Sequence, residues 1–171
     1  MFSVRRGRSV SLHGELSQRL LRIRCDLKLL AVSVSAHLSV VCALIERGGL
    51  VLVAQRAAGK SQALLWEFPG GKIEPQEEPE VALVREIREE LHVEIIVGER
   101  LPDSLHDYGK FAITLVPFVV SLGAGHEPHA AEHAALRWCA PEELRALDWA
   151  PADVSIVEHY LARRAGLVSE V

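Results

Sequence analysis

Residues 70 to 93 gather the side chains best suited to holding a cation against a phosphate chain. They read Gly-Gly-Lys-Ile-Glu-Pro-Gln-Glu-Glu-Pro-Glu-Val-Ala-Leu-Val-Arg-Glu-Ile-Arg-Glu-Glu-Leu-His-Val, a glycine turn running into a carboxylate-rich stretch. Pro79 suits the first turn of a helix, where its missing N–H costs little. Glu77, Glu78 and Glu80 crowd that start, as the positive end of a helix dipole favours. At roughly 100° per residue, Glu90 lies about 40° to one side of Glu86 and Glu89 about 60° to the other. Leu83, Val84, Ile87 and Leu91 fall on the adjoining arc and are expected to face a core.

Like charges three and four residues apart destabilise a helix by roughly 0.2–0.5 kcal/mol per pair. Arg85 and Arg88 offset part of that repulsion. A hard cation bound by oxygens would neutralise the rest, and Mg²⁺ in particular takes one or two carboxylates plus substrate phosphate oxygens. The alternative from the helix alone is a solvated acidic face, as most charge runs are.

The elements that must position this helix are legible around it. His37 to Glu46 is β-branched and apolar, Arg47-Gly48-Gly49 is a turn signal, and Leu50 to Gln55 completes a hairpin. Residues 56 to 65 form a loop containing Gly59 and Lys60. Trp66 to Gly71 is a short extended piece, and the helix runs from about Pro79 to Leu91. Strands are expected at Val93 to Val97, Phe111 to Leu122 and Ala135 to Cys139, with Pro117 marking an edge or a bulge. Gly123 to Ala131 is a loop. Short helices follow at Pro141 to Leu147 and Asp153 to Arg164. Pattern alone supports an α/β or α+β fold.

The chain of 171 residues suits one domain with a sizeable core. Its 49% hydrophobic and 25% charged content is that of an ordinary globular protein, and a net charge of −4 argues against a general nucleic-acid binder. Cys25, Cys42 and Cys139 show no metal or disulfide spacing, which suggests reduced thiols and a cytoplasmic location. No apolar run approaches the ~20 residues of a membrane span. His126, His129 and His133 lack a companion Cys pair or a His-Glu-x-x-His helix, and are not read as a zinc site. Residues 1–36 carry Arg5, Arg6, Arg8, Arg19, Arg22 and Arg24 among Ser and Leu. They are expected to be an N-terminal extension, poorly ordered or locally helical, with a targeting segment as the alternative.

The spacing Gly71, five residues, Glu77, seven residues, Arg85-Glu86-Ile87, one residue, Glu89-Glu90, one residue, His92-Val93 resembles the Nudix box. Every defined position matches except His92, which stands where the family has glycine. That position near the helix end favours a left-handed backbone, which His tolerates better than most residues. The segment Trp66-Glu67-Phe68-Pro69-Gly70-Gly71-Lys72-Ile73-Glu74 resembles the MutT branch of the superfamily. Gln55-Arg56-Ala57-Ala58, Ala112-Ile113-Thr114-Leu115, Trp138 and Ala150-Pro151-Ala152-Asp153 resemble it too, the last especially its cytidine-nucleotide members. The likeness covers most of the chain, setting a catalytic domain at 37–165 and a tail at 166–171.

The resemblance implies an α/β/α sandwich with a mixed β-sheet between helices. It implies Mg²⁺-dependent hydrolysis of nucleoside triphosphates to monophosphate and pyrophosphate, with Mn²⁺ able to substitute. The activity would be nucleotide-pool sanitation of the 8-oxo-dGTP or modified-dCTP type. Carried over residue by residue, the Gly71 carbonyl, Glu86 and Glu90 bind metal, and Glu89 serves as ligand or base. Glu132, six residues before Trp138, is the extra loop carboxylate, as ligand or base. Arg85 orients the carboxylates, Glu77 braces the loop, and Arg56 binds a substrate phosphate. Phe68, backbone groups near Glu67, and Asp153 line the base pocket; Asp153 also suits a helix N-cap. Phe111 lies near where some guanine-reading members carry arginine. The alternatives are a Nudix hydrolase of ADP-ribose, a dinucleoside polyphosphate or coenzyme A, and a non-catalytic Nudix-fold binding module. Against the first, Tyr108 and Gly109 stand where the ADP-ribose group carries a proline, and the coenzyme A motif is absent. Against the second, all three helix carboxylates are present.

Overall fold

The computed structural model describes residues 36–166. The extension expected at 1–36, save Ala36, and the tail beyond Gly166 lie outside the described residues. Strands are β1 (Ala36–Arg47), β2 (Leu50–Arg56), β3 (Trp66–Glu67), β4 (Gly70–Lys72), β5 (Ile95–Arg100), β6 (Ser104–Asp107), β7 (Phe111–Leu122) and β8 (His133–Cys139). Helix α1 (Pro79–Leu91) falls between β4 and β5; a 3-10 helix (Pro141–Ala146) and α2 (Val154–Arg164) close the chain.

The strands form one eight-stranded mixed sheet. β1 runs parallel to β7 and antiparallel to β4, and meets β2 through a short hairpin. β8 and β3 both pair antiparallel with β2. Alternation along β1 divides the interior in two, because successive strand side chains point to opposite faces. Val41, Ala43 and Ile45 pack on Ala82, Leu83, Ile87 and Leu91 of α1. Cys42 and Leu44 face the other way, into a cluster with Ile156, Val157 and Tyr160 of α2. The sheet therefore lies between helices, as the resemblance implied.

Two expectations need correction. Of the two readings of Pro117, the edge fails, since β7 is flanked by β1 on one side and by β6 and β5 in succession on the other, while the β5–β7 register does shift beside it, between Val97 and Arg100. Pro117 falls where β6 hands over to β5, so its missing N–H breaks no ladder there, and its carbonyl accepts from the Leu101 N–H at 2.9 Å. Strand β5 begins at Ile95 and continues to Arg100, later than expected, and β6 was not foreseen. Its four residues, Ser-Leu-His-Asp, are too few and too polar to signal a strand; pairing with β7 makes them one.

Candidate active site

Helix α1 ends as its sequence requires. His92 adopts the left-handed conformation, φ 56° and ψ 36°, and its backbone N–H closes on the Arg88 carbonyl at 3.1 Å. Upstream, the glycine turn passes directly under α1. A Cβ on Gly71 would overlap the Glu86 carboxyl, and one on Gly70 would strike the Val41 carbonyl. These glycines let the turn backbone and the carboxylates share one small space.

Arg85 organises the rim of that space. Its Nε and Nη2 donate to the Glu77 carboxylate at 2.9 and 2.8 Å, its Nη1 to Glu86 at 2.7 Å, and its Nη2 also to the Lys72 carbonyl at 3.0 Å. Glu89 stands 4.0 Å from the same guanidinium and is more than half exposed. Glu77 also accepts from the Glu74 N–H, and these bonds hold its carboxyl down at about 2, Arg85 contributing most.

Glu90 points inward. Its Oε2 accepts from the Gly70 N–H at 3.0 Å. Burial pushes its carboxyl up to about 7, and the nearby charges of Glu67 and Glu86 push the same way, while His133 and the Gly70 N–H oppose them. Glu67 on β3 reaches the same region, bonded to Arg56 of β2. Arg56 also donates to the Ser61 carbonyl at 2.8 Å, which closes the loop between β2 and β3.

The base pocket was expected to be lined by the Phe68 side chain and by backbone groups near Glu67; the two side chains themselves take opposite faces of the sheet. Glu67 pairs with Ala54 and faces the α1 side. Phe68 faces the α2 side, is 3% exposed, and packs on Trp149 with ring centroids 4.9 Å apart. Phe68 is thus a core side chain, and the Glu67 side chain lies with Arg56 and His133. Asp153 lies on the Phe68 side. It precedes α2 at the N-cap position without making a side-chain cap. Instead its Oδ1 accepts from the Phe68 N–H at 3.0 Å, and full burial pushes its carboxyl to about 8. A cavity of about 530 Å³ beside Trp149, lined by Leu65, Leu147, Asp148, Val154, Val157 and Glu158, includes none of Glu67, Glu86, Glu89 and Glu90.

Glu132 is exposed and paired with Lys60 at 2.7 Å, a contact that lowers its pKa. The neighbouring side chain enters the cluster in its place. His133 is buried, with Nε2 3.4 Å from Glu67 and 3.9 Å from Glu90. Sequence reasoning passed over it when weighing a zinc site. The sequence offers no local signal for this, because the facing of His133 depends on its register against β2.

Among the described residues, no three acidic, His or Cys side chains close around one point. The residues present fit a hard cation nonetheless: Glu86 and Glu90 bring carboxylate oxygens to the Gly70-Gly71 turn, where a Cβ on Gly71 would overlap the Glu86 carboxyl. Such an arrangement fits an ion that completes its shell with water and phosphate oxygens.

A carboxylate helix packed on a glycine turn against a mixed sheet is the architecture that the box resemblance implied. The chain belongs to the NUDIX domain family, whose model matches residues 35–160. It is 44% identical over 134 residues to the CTP pyrophosphohydrolase of Escherichia coli, covering 75% of this chain and 94% of that protein. It is 44% identical over 117 residues to a putative 8-oxo-dGTP diphosphatase 2 of Mycobacterium tuberculosis, covering 67% of this chain and 81% of that one. The solution structure of the E. coli ORF135 protein superposes with a TM-score of 0.69 at 41% identity, over 81% of this chain and 99% of that one. No helix among the described residues is long and apolar enough to cross a membrane.

Proposed function

We propose that this chain hydrolyses nucleoside triphosphates to nucleoside monophosphate and pyrophosphate with Mg²⁺, Mn²⁺ being able to substitute. The observation that carries the reading is the convergence of Glu86 and Glu90 on the Gly70-Gly71 turn, with Glu67 alongside. The Gly71 carbonyl, Glu86 and Glu90 hold the metal, with Glu89 and Glu132 as further ligands or bases. When bound, the cation neutralises phosphate charge and lowers the pKa of water.

The chain's own groups do the rest. Arg85 keeps the Glu86 carboxylate turned toward the turn. Arg56 presents a guanidinium to the phosphate chain, steadied by Glu67 and the Ser61 carbonyl. Glu89, exposed at the rim, or Glu132, released from Lys60, takes the proton of the attacking water. Attack at the β-phosphorus breaks its bond to the α–β bridging oxygen, and the monophosphate leaves.

The base is read on the α2 side. One oxygen of Asp153 accepts from the Phe68 N–H, and we assign the other to the base edge on the resemblance of Ala150-Pro151-Ala152-Asp153 to the cytidine-nucleotide members. A carboxyl with a pKa of about 8 is largely protonated at neutral pH, and donates to a carbonyl as readily as its ionised form accepts from an amino group. The substrates we favour are modified dCTP, its unmodified cytidine counterparts, and 8-oxo-dGTP. The buried free thiols Cys42 and Cys139 suit a reducing compartment, and we assign the activity to the cytoplasm.

The test is a panel of dCTP, CTP, 5-substituted dCTP, dGTP and 8-oxo-dGTP, with ADP-ribose and a dinucleoside polyphosphate as controls. Monophosphate plus pyrophosphate is expected from at least one cytidine or oxidised-guanine nucleotide. Turnover of ADP-ribose alone, or diphosphate plus phosphate as products, overturns the reading.

A further inference from the structure

The β2–β8 ladder carries an irregularity that decides which side chain enters the carboxylate cluster. Ala54 pairs with Leu136 and Gln55 with Ala135, so a regular ladder would set Arg56 against Ala134. The register shifts there, and Arg56 faces His133 instead. Side chains directly opposed in a ladder share a face. Ala54, Arg56 and Glu67 occupy the α1 face of the sheet, since Glu67 pairs with Ala54 and Leu136 packs into the α1 cluster. The shift therefore turns His133 onto the face of Glu67 and Glu90, and sends Glu132 outward to Lys60. Bulges next to active sites commonly re-aim a side chain in this way.

The imidazole is costly where it stands. Its side chain is 2% exposed, and Nδ1 is buried without a hydrogen-bond partner. A leucine or methionine would fill the same space with no orphaned atom. What an apolar side chain cannot do is place an N–H between two carboxylates, and Nε2 stands 3.4 Å from Glu67 and 3.9 Å from Glu90.

We propose that His133 is a positioning residue for the metal site, its Nε2 setting the separation and aim of Glu67 and Glu90 so that a divalent cation finds its carboxylate oxygens already in place. The role moves no proton. It rests on the reading of Glu90 as a metal ligand given above. Groups that orient metal-binding carboxylates are typically worth about 10- to 100-fold in metal affinity.

The experiment measures Mn²⁺ binding to the nucleotide-free protein by electron paramagnetic resonance, together with the unfolding temperature of the metal-free protein. The proteins are wild type, His133→Leu, His133→Met and His133→Gln. Glutamine keeps an N–H donor near the Nε2 position; leucine and methionine do not, and methionine serves if the leucine variant fails to fold. The expected result is Mn²⁺ affinity lowered about 10- to 100-fold in the apolar variants and largely restored by glutamine. The metal-free unfolding temperature of the apolar variants should hold or rise, because the orphaned Nδ1 is gone. Wild-type affinity in a folded apolar variant overturns the role of His133 and leaves the metal site standing. Absence of Mn²⁺ binding in the wild type overturns the metal reading itself, and this role with it.

Discussion

The backbone N–H of Phe68 donates to Oδ1 of Asp153 at 3.0 Å, joining the segment before the glycine turn to the start of α2. Asp153 thereby does for a loop backbone what its position suggested it would do for its own helix. The bond fixes one carboxyl oxygen in a fully buried place, where the desolvation cost falls on the charged form.

Asp153 should therefore make stability depend on pH. Its carboxyl ionises near 3.8 when exposed and at about 8 in the folded chain. Its contribution to stability is fully present below about pH 4 and is lost as pH rises toward 8, because the unfolded state releases its proton first. Asp153→Asn retains an acceptor for the Phe68 N–H and cannot ionise. Thermal unfolding of metal-free protein from pH 4 to 9 should show a flatter profile in the variant, and a higher melting temperature than wild type above pH 8. Parallel profiles would remove Asp153 as the source.

Gly71→Ala tests the contact between turn and helix. The methyl would overlap the Glu86 carboxyl, and Gly71 does not adopt a positive φ, so the space is at issue rather than the backbone. Metal affinity should fall at least about tenfold, with the protein still folded. Unchanged Mn²⁺ binding would mean that Glu86 can move aside freely.

Glu86→Gln keeps the shape of the side chain and removes its charge. Turnover should fall by about 10² or more, the scale of losing one positioned electrostatic group. Pyrophosphate release at saturating substrate and metal is the measurement. A kcat within twofold of wild type would exclude Glu86 from the reaction.

His92→Gly relieves a left-handed residue at an exposed helix end. A non-glycine residue there costs roughly 1 kcal/mol, so denaturant melts should show a gain of about that size with activity unchanged. A drop in activity would assign His92 a part in the chemistry that its position does not suggest.

Local patterns were legible wherever the cause is local. The helix start at Pro79, the acidic arc of Glu86, Glu89 and Glu90, and the left-handed His92 follow from helix geometry and capping. The alternation of Val41, Ala43 and Ile45 against Cys42 and Leu44 follows from the strand period. Tertiary structure decided what depends on a partner. Whether Pro117 sits at an edge depends on which strands flank β7, and β6 is a strand because β7 lies beside it. Glu67 lies with Arg56 and His133 while Phe68 enters the core, because pairing with β2 sets which face each takes. His133 goes inward and Glu132 outward because the ladder slips at Arg56. A sequence carries side-chain period along one strand; it does not carry the register between two strands, and a slip of one residue exchanges the faces.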